Sequence, residues 1–362
     1  MTSTETDLSS STRWAPLTPR ASTTIGPTAH VQALGRALLF RDAGPTKAWY
    51  GVLALLAFSA WLGFVGFQAL LSQGGVWGAF SSARAHAIGP VLVVFIGVIL
   101  LAEQMWPAVA RPILSRAHLV DLGYLVFFAI VVLPMLTLVE AGFSTEIVRH
   151  AHFLVLGRLP LGSQVIASVL ILVCIDAMNW GAHVANHRSL TLWRLHALHH
   201  SQEDMSVLTT FRTHPLVHAS YLPSLFPALV LGASGSVPGL AIIVYGCLVT
   251  LPHANLRWTF GPLGRVIVSP VYHRFHHAAT PVDDRGTVNY AFVLVCWDQL
   301  INRAQFPNGE APITTGLAGR PVPVEQTSSV LATPRVMAAQ LGQPFFKRAT
   351  TDASSFEYSE SK

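Results

Sequence analysis

Four stretches of this chain are apolar for long enough to cross a bilayer or nearly so: Trp49 to Ser72, Ala87 to Ala102, Leu119 to Val139 and Ser163 to Trp180. In hydrocarbon every backbone N–H and C=O needs a partner within its own segment, so these stretches are predicted to be helices. A fifth apolar region, Leu216 to Pro252, is interrupted by "GASGSVPG" at 232–239 and reads as a hairpin that enters the membrane without crossing it. A chain with 51% hydrophobic and only 11% charged residues is far from the composition of a soluble domain. The expected class is all-α, an integral membrane protein with about four transmembrane helices.

Basic residues in the short loops set the expected orientation. Arg13, Arg20, Arg36, Arg41 and Lys47 precede the first stretch, and Arg111 and Arg116 separate the second from the third. The opposite loops hold Arg84, then Arg149 and Arg158. This bias favours a cytoplasmic N-terminus, and four crossings then return the chain to the cytoplasm where its histidines concentrate. Residues 1–47 read as a disordered or amphipathic leading segment, 48–182 as the membrane stem, 183–306 as a cap containing the hairpin 216–252, and 307–362 as a polar tail. The formal charge of +5 comes from dispersed arginines, which fits anionic lipid better than nucleic acid. Cys174, Cys247 and Cys296 lie in apolar sequence without a C-x-x-C spacing, so neither a disulfide framework nor a thiolate metal site is expected.

Eleven of the sixteen histidines fall between 183 and 277, in "HVANH" at 183–187, "HALHH" at 196–200 and "HRFHH" at 273–277, with others between. On a helix, positions i, i+3 and i+4 share a face, so each cluster presents its imidazoles in one direction. One specified three-histidine pattern would arise by accident roughly 0.03 times in such a chain, and this one occurs twice. His30, His86, His118, His150 and His152 stand alone and read as ordinary polar residues. Imidazole suits iron, zinc, copper or nickel, and more ligands than one tetrahedral ion needs point to two metals. Asp176 precedes His183 by seven residues on nearly the same face, where a carboxylate in an apolar stretch is a candidate to orient a ligand imidazole through its second nitrogen.

Taken with their flanks, "DAMNWGAHVANH", "LWRLHALHHSQEDMSVLTTFRTHP", "LPHANLRWTFGPLGRVIVSPVYHRFHH" and "NYAFVLVCWDQL" resemble the fatty acid hydroxylase superfamily, the sterol desaturase group of integral-membrane di-iron enzymes, over roughly 176–300. The resemblance implies a four-helix stem under a cytosolic, histidine-rich helical cap that uses two iron ions and O2 to hydroxylate or desaturate a membrane lipid such as a fatty acyl chain or sterol. Carried over by position, the ligands are His183, His187, His196, His199, His200, His253, His273, His276 and His277. His214 and Asn255 would stand at or just outside the ligands, and Asp298 would hold the last box in place. Val184 stands where many relatives carry Arg, and "INRAQF" follows "WD" where many carry Phe-Gly-Thr; neither removes an implied ligand.

No haem, flavin, nicotinamide or iron–sulfur signature accompanies these boxes, so electrons are expected from a separate protein, a ferredoxin or cytochrome b5 type with its reductase. Arg194, Arg212, Arg257 and Arg274 are candidates for docking that donor. Two other classes compete. A zinc-dependent membrane hydrolase would need a general base, with Glu203 or Asp204 the nearby carboxylates. A metal transporter or sensor would place its ligands along a path near mid-membrane. Arg outnumbers Lys 20 to 3, which hints at a GC-rich, bacterial genome and hence the cytoplasmic membrane; a eukaryotic source would place the chain in the endoplasmic reticulum.

Overall fold

The structure is a computed structural model that describes residues 83–111, 115–154, 161–227, 236–279, 288–306, 314–317, 322 and 332–345. The first predicted stretch, Trp49 to Ser72, lies outside the described residues. Helix α1 spans Ala83–Met105 and contains the second stretch. Helix α2, Arg116–Phe127, runs through a π-helical turn at Phe128–Val132 into α3, Leu133–His150. Helix α4, Leu161–Arg188, is followed after one residue by α5, Leu190–His200. Two 3-10 segments, Val207–Phe211 and Pro215–Leu225, lead towards α6, Ser236–Thr250. Short 3-10 turns at Leu251–His253 and Gly261–Arg265 precede α7, Pro270–His276, and α8, Cys296–Leu300. Helix α9, Thr333–Gly342, closes the described chain with a 3-10 turn at Gln343–Phe345. Extended pairing among the described residues is limited to isolated antiparallel bridges at Pro107–Leu256, Ile267–Leu294 and Ala278–Thr315. The all-helical expectation therefore describes the fold.

Among the described residues, two helices are long and apolar enough to cross a membrane: the continuous 35-residue run Arg116–His150 and the segment Gln164–Arg188. Their outward faces are apolar, with Ile130 68% and Ile166 64% exposed, as a lipid-facing surface requires. In α1 the shorter apolar run Val91–Met105 is described. The π turn has a local cause. Pro134 lacks an N–H and its ring crowds the preceding turn, and the backbone widens so that the Leu133 N–H reaches the Phe128 carbonyl. Part of the expected break at 232–239 is helical, because α6 begins at Ser236 with Pro238 in its first turn, where a missing N–H costs nothing.

Serines set the phase of the histidine-bearing helices. Ser189 caps α5 by accepting from the Leu192 N–H, and Ser269 caps α7 by accepting from Tyr272, with Pro270 at the first helical position. Each cap fixes where the helix starts, so His199 and His200 fall in the last turn of α5 and His273 and His276 in the last turn of α7. Helix carbonyls at a C-terminus carry partial negative charge, a favourable place for a cation.

Three apolar clusters hold these ends together. Ile96, Ile99 and Ala102 of α1 pack on Val207, Leu208, Phe211, Ala254 and Leu256. Val120 and Tyr124 of α2 pack on Ala197 and Leu198 of α5. Val268, Tyr272, Ala291 and Val295 join α7 to the loop before α8. Between the first two lies a buried ion pair, Arg212 to Asp121 at 3.0 Å, with both side chains wholly inaccessible. Gln202 and Thr209 donate to the same carboxylate at 2.8 and 3.0 Å, while Arg212 Nε donates to the Leu198 carbonyl and Ser201 Oγ at the end of α5. Removing one member leaves an uncompensated buried charge. Arg212→Met is expected to cost about 3–5 kcal/mol of stability, read by denaturant unfolding in detergent, and adding Asp121→Leu to it should recover part of that loss.

Candidate metal centre

The side chains of nine histidines converge in two adjacent groups, all buried. His183, His187, His196, His200 and His276 form one, and His199, His253, His273 and His277 the other, with ligand atoms within 4.8 Å of one another in each. The two H-x-x-H-H boxes are split between them in opposite senses. From α5, His196 and His200 enter the first group and His199 the second; from α7, His273 and His277 enter the second and His276 the first. Each group thus takes an i, i+4 pair from one box and a single imidazole from the other. Helix α4 adds the i, i+4 pair His183 and His187 to the first group, and the 3-10 turn Leu251–His253 adds His253 to the second. Where the groups meet, the rings of His200 and His277 stack with centroids 4.3 Å apart.

The ring nitrogens face inward at close range. In the first group His183 Nε2 lies 3.1 Å from His196 Nε2, 3.2 Å from His187 Nε2 and 3.1 Å from His276 Nε2. In the second, His253 Nε2 lies 3.0 Å from both His199 Nε2 and His273 Nε2. Tautomers decide what these contacts mean. His183 Nδ1 donates to the Tyr290 carbonyl at 2.7 Å and His276 Nδ1 to the Val288 carbonyl at 2.8 Å. A neutral imidazole has one N–H, so in both rings Nε2 carries a lone pair, and two lone pairs face each other across 3.1 Å. Only a proton or a metal cation relieves that contact. Burial and the neighbouring imidazoles push the His196, His200, His273, His276 and His277 rings well below the ordinary histidine range, which disfavours the proton. In His277 both ring nitrogens are buried without a hydrogen-bond partner. Such a donor set fits metal cations, since neutral imidazole is the form that binds them.

The residues expected beside the ligands stand as follows. Asp176 touches no histidine. Its oxygens accept from the Val293 and Leu294 N–H groups at 3.1 and 2.9 Å, from Trp297 Nε1 at 2.8 Å and from the Tyr245 hydroxyl at 3.4 Å. The expectation that it orients an imidazole directly is corrected: three N–H donors of the 293–297 stretch saturate the carboxylate, which anchors that loop. Asp298 accepts from Tyr272 Oη and Trp180 Nε1 at 2.9 Å and from the Ala291 N–H at 2.8 Å, tying α7 and α4 to the same loop. Between the carbonyls of Val288 and Tyr290, Asn289 takes a φ of +58°, a conformation asparagine tolerates, and its side chain bridges the Tyr272 and Gln305 backbones.

His214 stands in neither group: its Nδ1 accepts from the Leu216 N–H and its Nε2 donates to the Leu341 carbonyl, so it caps a 3-10 turn and holds α9. Asn255 binds both backbone groups of Val109 and accepts from Arg274 at 3.4 Å, which steadies the residue next to His273. Arg212 and Arg274 are fully buried and cannot dock a partner, whereas Arg194 and Arg257 are exposed. Asp204 pairs with Arg111 at 3.3 Å with its side chain 42% exposed, turned to the surface.

Sequence reasoning passed over Glu103 and Asp121. Glu103 accepts from the N–H groups of Val207 and Asn255 at 2.7 and 3.0 Å, fixing the two loops that flank the second group. Both are carboxylates in or beside apolar stretches, the same signal that singled out Asp176. The carbonyls of Val288 and Tyr290 carry no signal in the side-chain sequence. Nor does Trp193, whose ring lies 5.1 Å from His187 and 5.4 Å from His200.

Residues 168–303 match the family model for fatty acid hydroxylases. An ornithine lipid hydroxylase of Rhizobium tropici is 31% identical over 206 residues, 55% of this chain and 55% of that protein. An alkylglycerol monooxygenase of Caenorhabditis elegans is 28% identical over 148 residues, 39% of this chain and 28% of that protein. The human alkylglycerol monooxygenase is 27% identical over 132 residues, 35% of this chain and 28% of that protein. The chain therefore spans about half the length of the first relative and just over a quarter of the other two. No solved structure matches it significantly.

The two groups make a stoichiometric prediction. Protein purified in detergent and saturated with a divalent transition metal should bind about two ions per chain, as two separate imidazole sets imply. A His253→Ala, His273→Ala variant should retain about one, read by elemental analysis, because only the second group is dismantled.

Proposed function

We propose that this chain, whose residues 168–303 match the fatty acid hydroxylase family model, is an O2-dependent di-iron enzyme that hydroxylates or desaturates a C–H bond of a membrane lipid. The observation that carries the reading is the pair of adjacent, fully buried histidine groups, one of five and one of four imidazoles, that share two boxes between them. Five imidazoles exceed the four ligands of a structural zinc site, which favours a metal of higher coordination number. Two irons held there would supply the activation of O2 and the oxidation of an unactivated C–H bond.

The protein's own residues do the rest. His183, His187, His196, His200 and His276 would hold one ion, and His199, His253, His273 and His277 the other. Backbone carbonyls of Val288 and Tyr290 keep the protons of His276 and His183 on Nδ1, so that Nε2 is free to bind. Asp176, Asp298 and Asn289 hold the loop that presents those carbonyls, and Arg212 with Asp121 holds the end of α5. Burial of all nine rings excludes bulk water.

The membrane stem of about four crossings, with the site on the cytoplasmic side, belongs to this proposal, as does a bacterial cytoplasmic membrane location. The apolar faces of α2–α3 and α4 support lateral entry of the substrate from the bilayer. Ornithine lipid and alkylglycerol, named for the relatives, put a lipid with a polar head first among substrates. Electrons would come from a ferredoxin or cytochrome b5 type donor, and Arg194 and Arg257 are the exposed candidates to meet its acidic face.

The test joins metal and product. Protein made with iron supplied should hold about two irons per chain, and cells expressing it should form an O2-dependent lipid either about 16 Da heavier or about 2 Da lighter than its parent. His200→Ala should abolish that product. Zinc retained in both groups when iron is abundant, with a hydrolysed lipid as the product, would overturn the oxygenase reading in favour of the hydrolase.

A further inference from the structure

Two asparagines on α4 carry a need that the metal groups do not meet. Asn179 and Asn186 each donate Nδ2–H to a tyrosine hydroxyl, Tyr245 at 3.1 Å and Tyr221 at 3.0 Å, and each leaves Oδ1 buried with no hydrogen-bond partner. Asn186 is wholly inaccessible, at 0%. The orientation of Asn179 is fixed by a relay: the Tyr245 hydroxyl donates its proton to Asp176, so it accepts from Asn179 Nδ2, and Oδ1 is the orphan.

An unsatisfied buried carbonyl is costly, and one in a helix leaving an apolar span more so. Residues 179, 183 and 186 lie within about 60° of arc on α4, at 100° per residue, so both amides flank His183 on one face. Phe292 links the strip to the first histidine group, its ring 5.0 Å from His183 and 6.0 Å from Tyr221. The strip starts in the apolar part of α4 and ends at the histidines.

We infer that Asn179 and Asn186 are specificity-determining acceptors for the polar region of the substrate, a lipid that brings O–H or N–H donors to their carbonyl oxygens. This rests on the reading of the chain as a lipid-oxidising enzyme, and deepens it by naming the substrate chemistry. Neither residue is among the implied metal ligands, and a lipid with only ester and ether oxygens would leave both carbonyls unsatisfied.

The test measures binding, with no turnover needed. Two lipid pairs are titrated into the full chain in detergent: a long-chain secondary amide against its ester isostere, and a monoalkylglycerol against its dimethyl ether. Wild type should bind at least one donor-bearing lipid about tenfold more tightly than its partner, the value of one or two hydrogen bonds to otherwise unpaired groups. Asn179→Leu, which leaves Tyr245 bonded to Asp176, and the pair Asn186→Leu, Tyr221→Phe should bring the ratio towards one. In lipid-free protein both variants should melt at or above the wild-type temperature, because an unsatisfied group has been removed. Equal binding within both pairs, or no binding of any of the four lipids, would overturn the inference and leave the iron and product measurements standing. Variants that melt lower yet keep the preference would assign the amides a purely structural role and overturn it as well. A clear preference in protein that holds no iron would sustain the acceptors while the oxygenase reading fell.

Discussion

Lone pairs of neutral imidazoles pointed at one another in a dry interior are unstable without a positive charge between them, and everything around this centre exists to hold them there. His183 and His276 show the constraint most sharply, since backbone carbonyls hold both protons on the far side of the rings. Desolvation closes the alternative of protonation, because an imidazolium buried among eight other imidazoles would meet no counter-charge in its own group. The scaffold must therefore oppose the tendency of the rings to part in the absence of metal. It does so with serine-capped helices whose starts are fixed, with the Arg212–Asp121 pair behind α5, and with Glu103 behind the loop that carries His253.

Four carboxylates share one job in this arrangement. Glu103, Asp121, Asp176 and Asp298 each accept from several protein donors, and among the described residues none of them bonds a histidine ring nitrogen. In three of them backbone N–H groups of a loop are among those donors, which converts a flexible connection into a fixed one. A carboxylate placed directly on a ligand imidazole would raise that ligand's basicity; here carbonyl oxygens do the orienting, and the carboxylates set the loops that bear the carbonyls. The donors these buried acids gather offset part of the electrostatic cost of burying them.

The histidine spacing made much of the centre legible. Side-chain periodicity on a helix follows from geometry alone, so the nine residues named from the boxes and their resemblance are the nine that converge. What spacing could not give was the crossing of the boxes. Reading His196, His199 and His200 as facing one direction overlooked that positions i+3 and i+4 diverge enough to serve two adjacent groups. Asp176 was legible as an acid out of place in an apolar stretch, but its partners come from residues 293–297, more than a hundred positions away, and contacts of that range leave no local pattern. The same holds for the bond of His214, in "RTHP", to the Leu341 carbonyl. Helix type was legible from hydropathy; the π turn was not, since it depends on how one proline's ring is accommodated in a helix that could equally have kinked.

Repetition of His-x-x-His-His is what two centres side by side demand of two short helices. A box that served one ion alone would need its partner helix to serve the other, and the two ions would then be joined only through the scaffold. Because α5 and α7 each contribute to both groups, any rigid shift of either helix moves ligands of both centres together. The split of each box between the centres thus follows from the offset between positions i+3 and i+4, a property of regular helix geometry. Helix α4 stands apart from this exchange: it feeds only the first group, runs unbroken from its apolar stretch to His187, and carries the two unsatisfied amides on the way. One group is therefore tied to the apolar part of α4 and the other to the loop of His253, so two ions held there would have unlike surroundings.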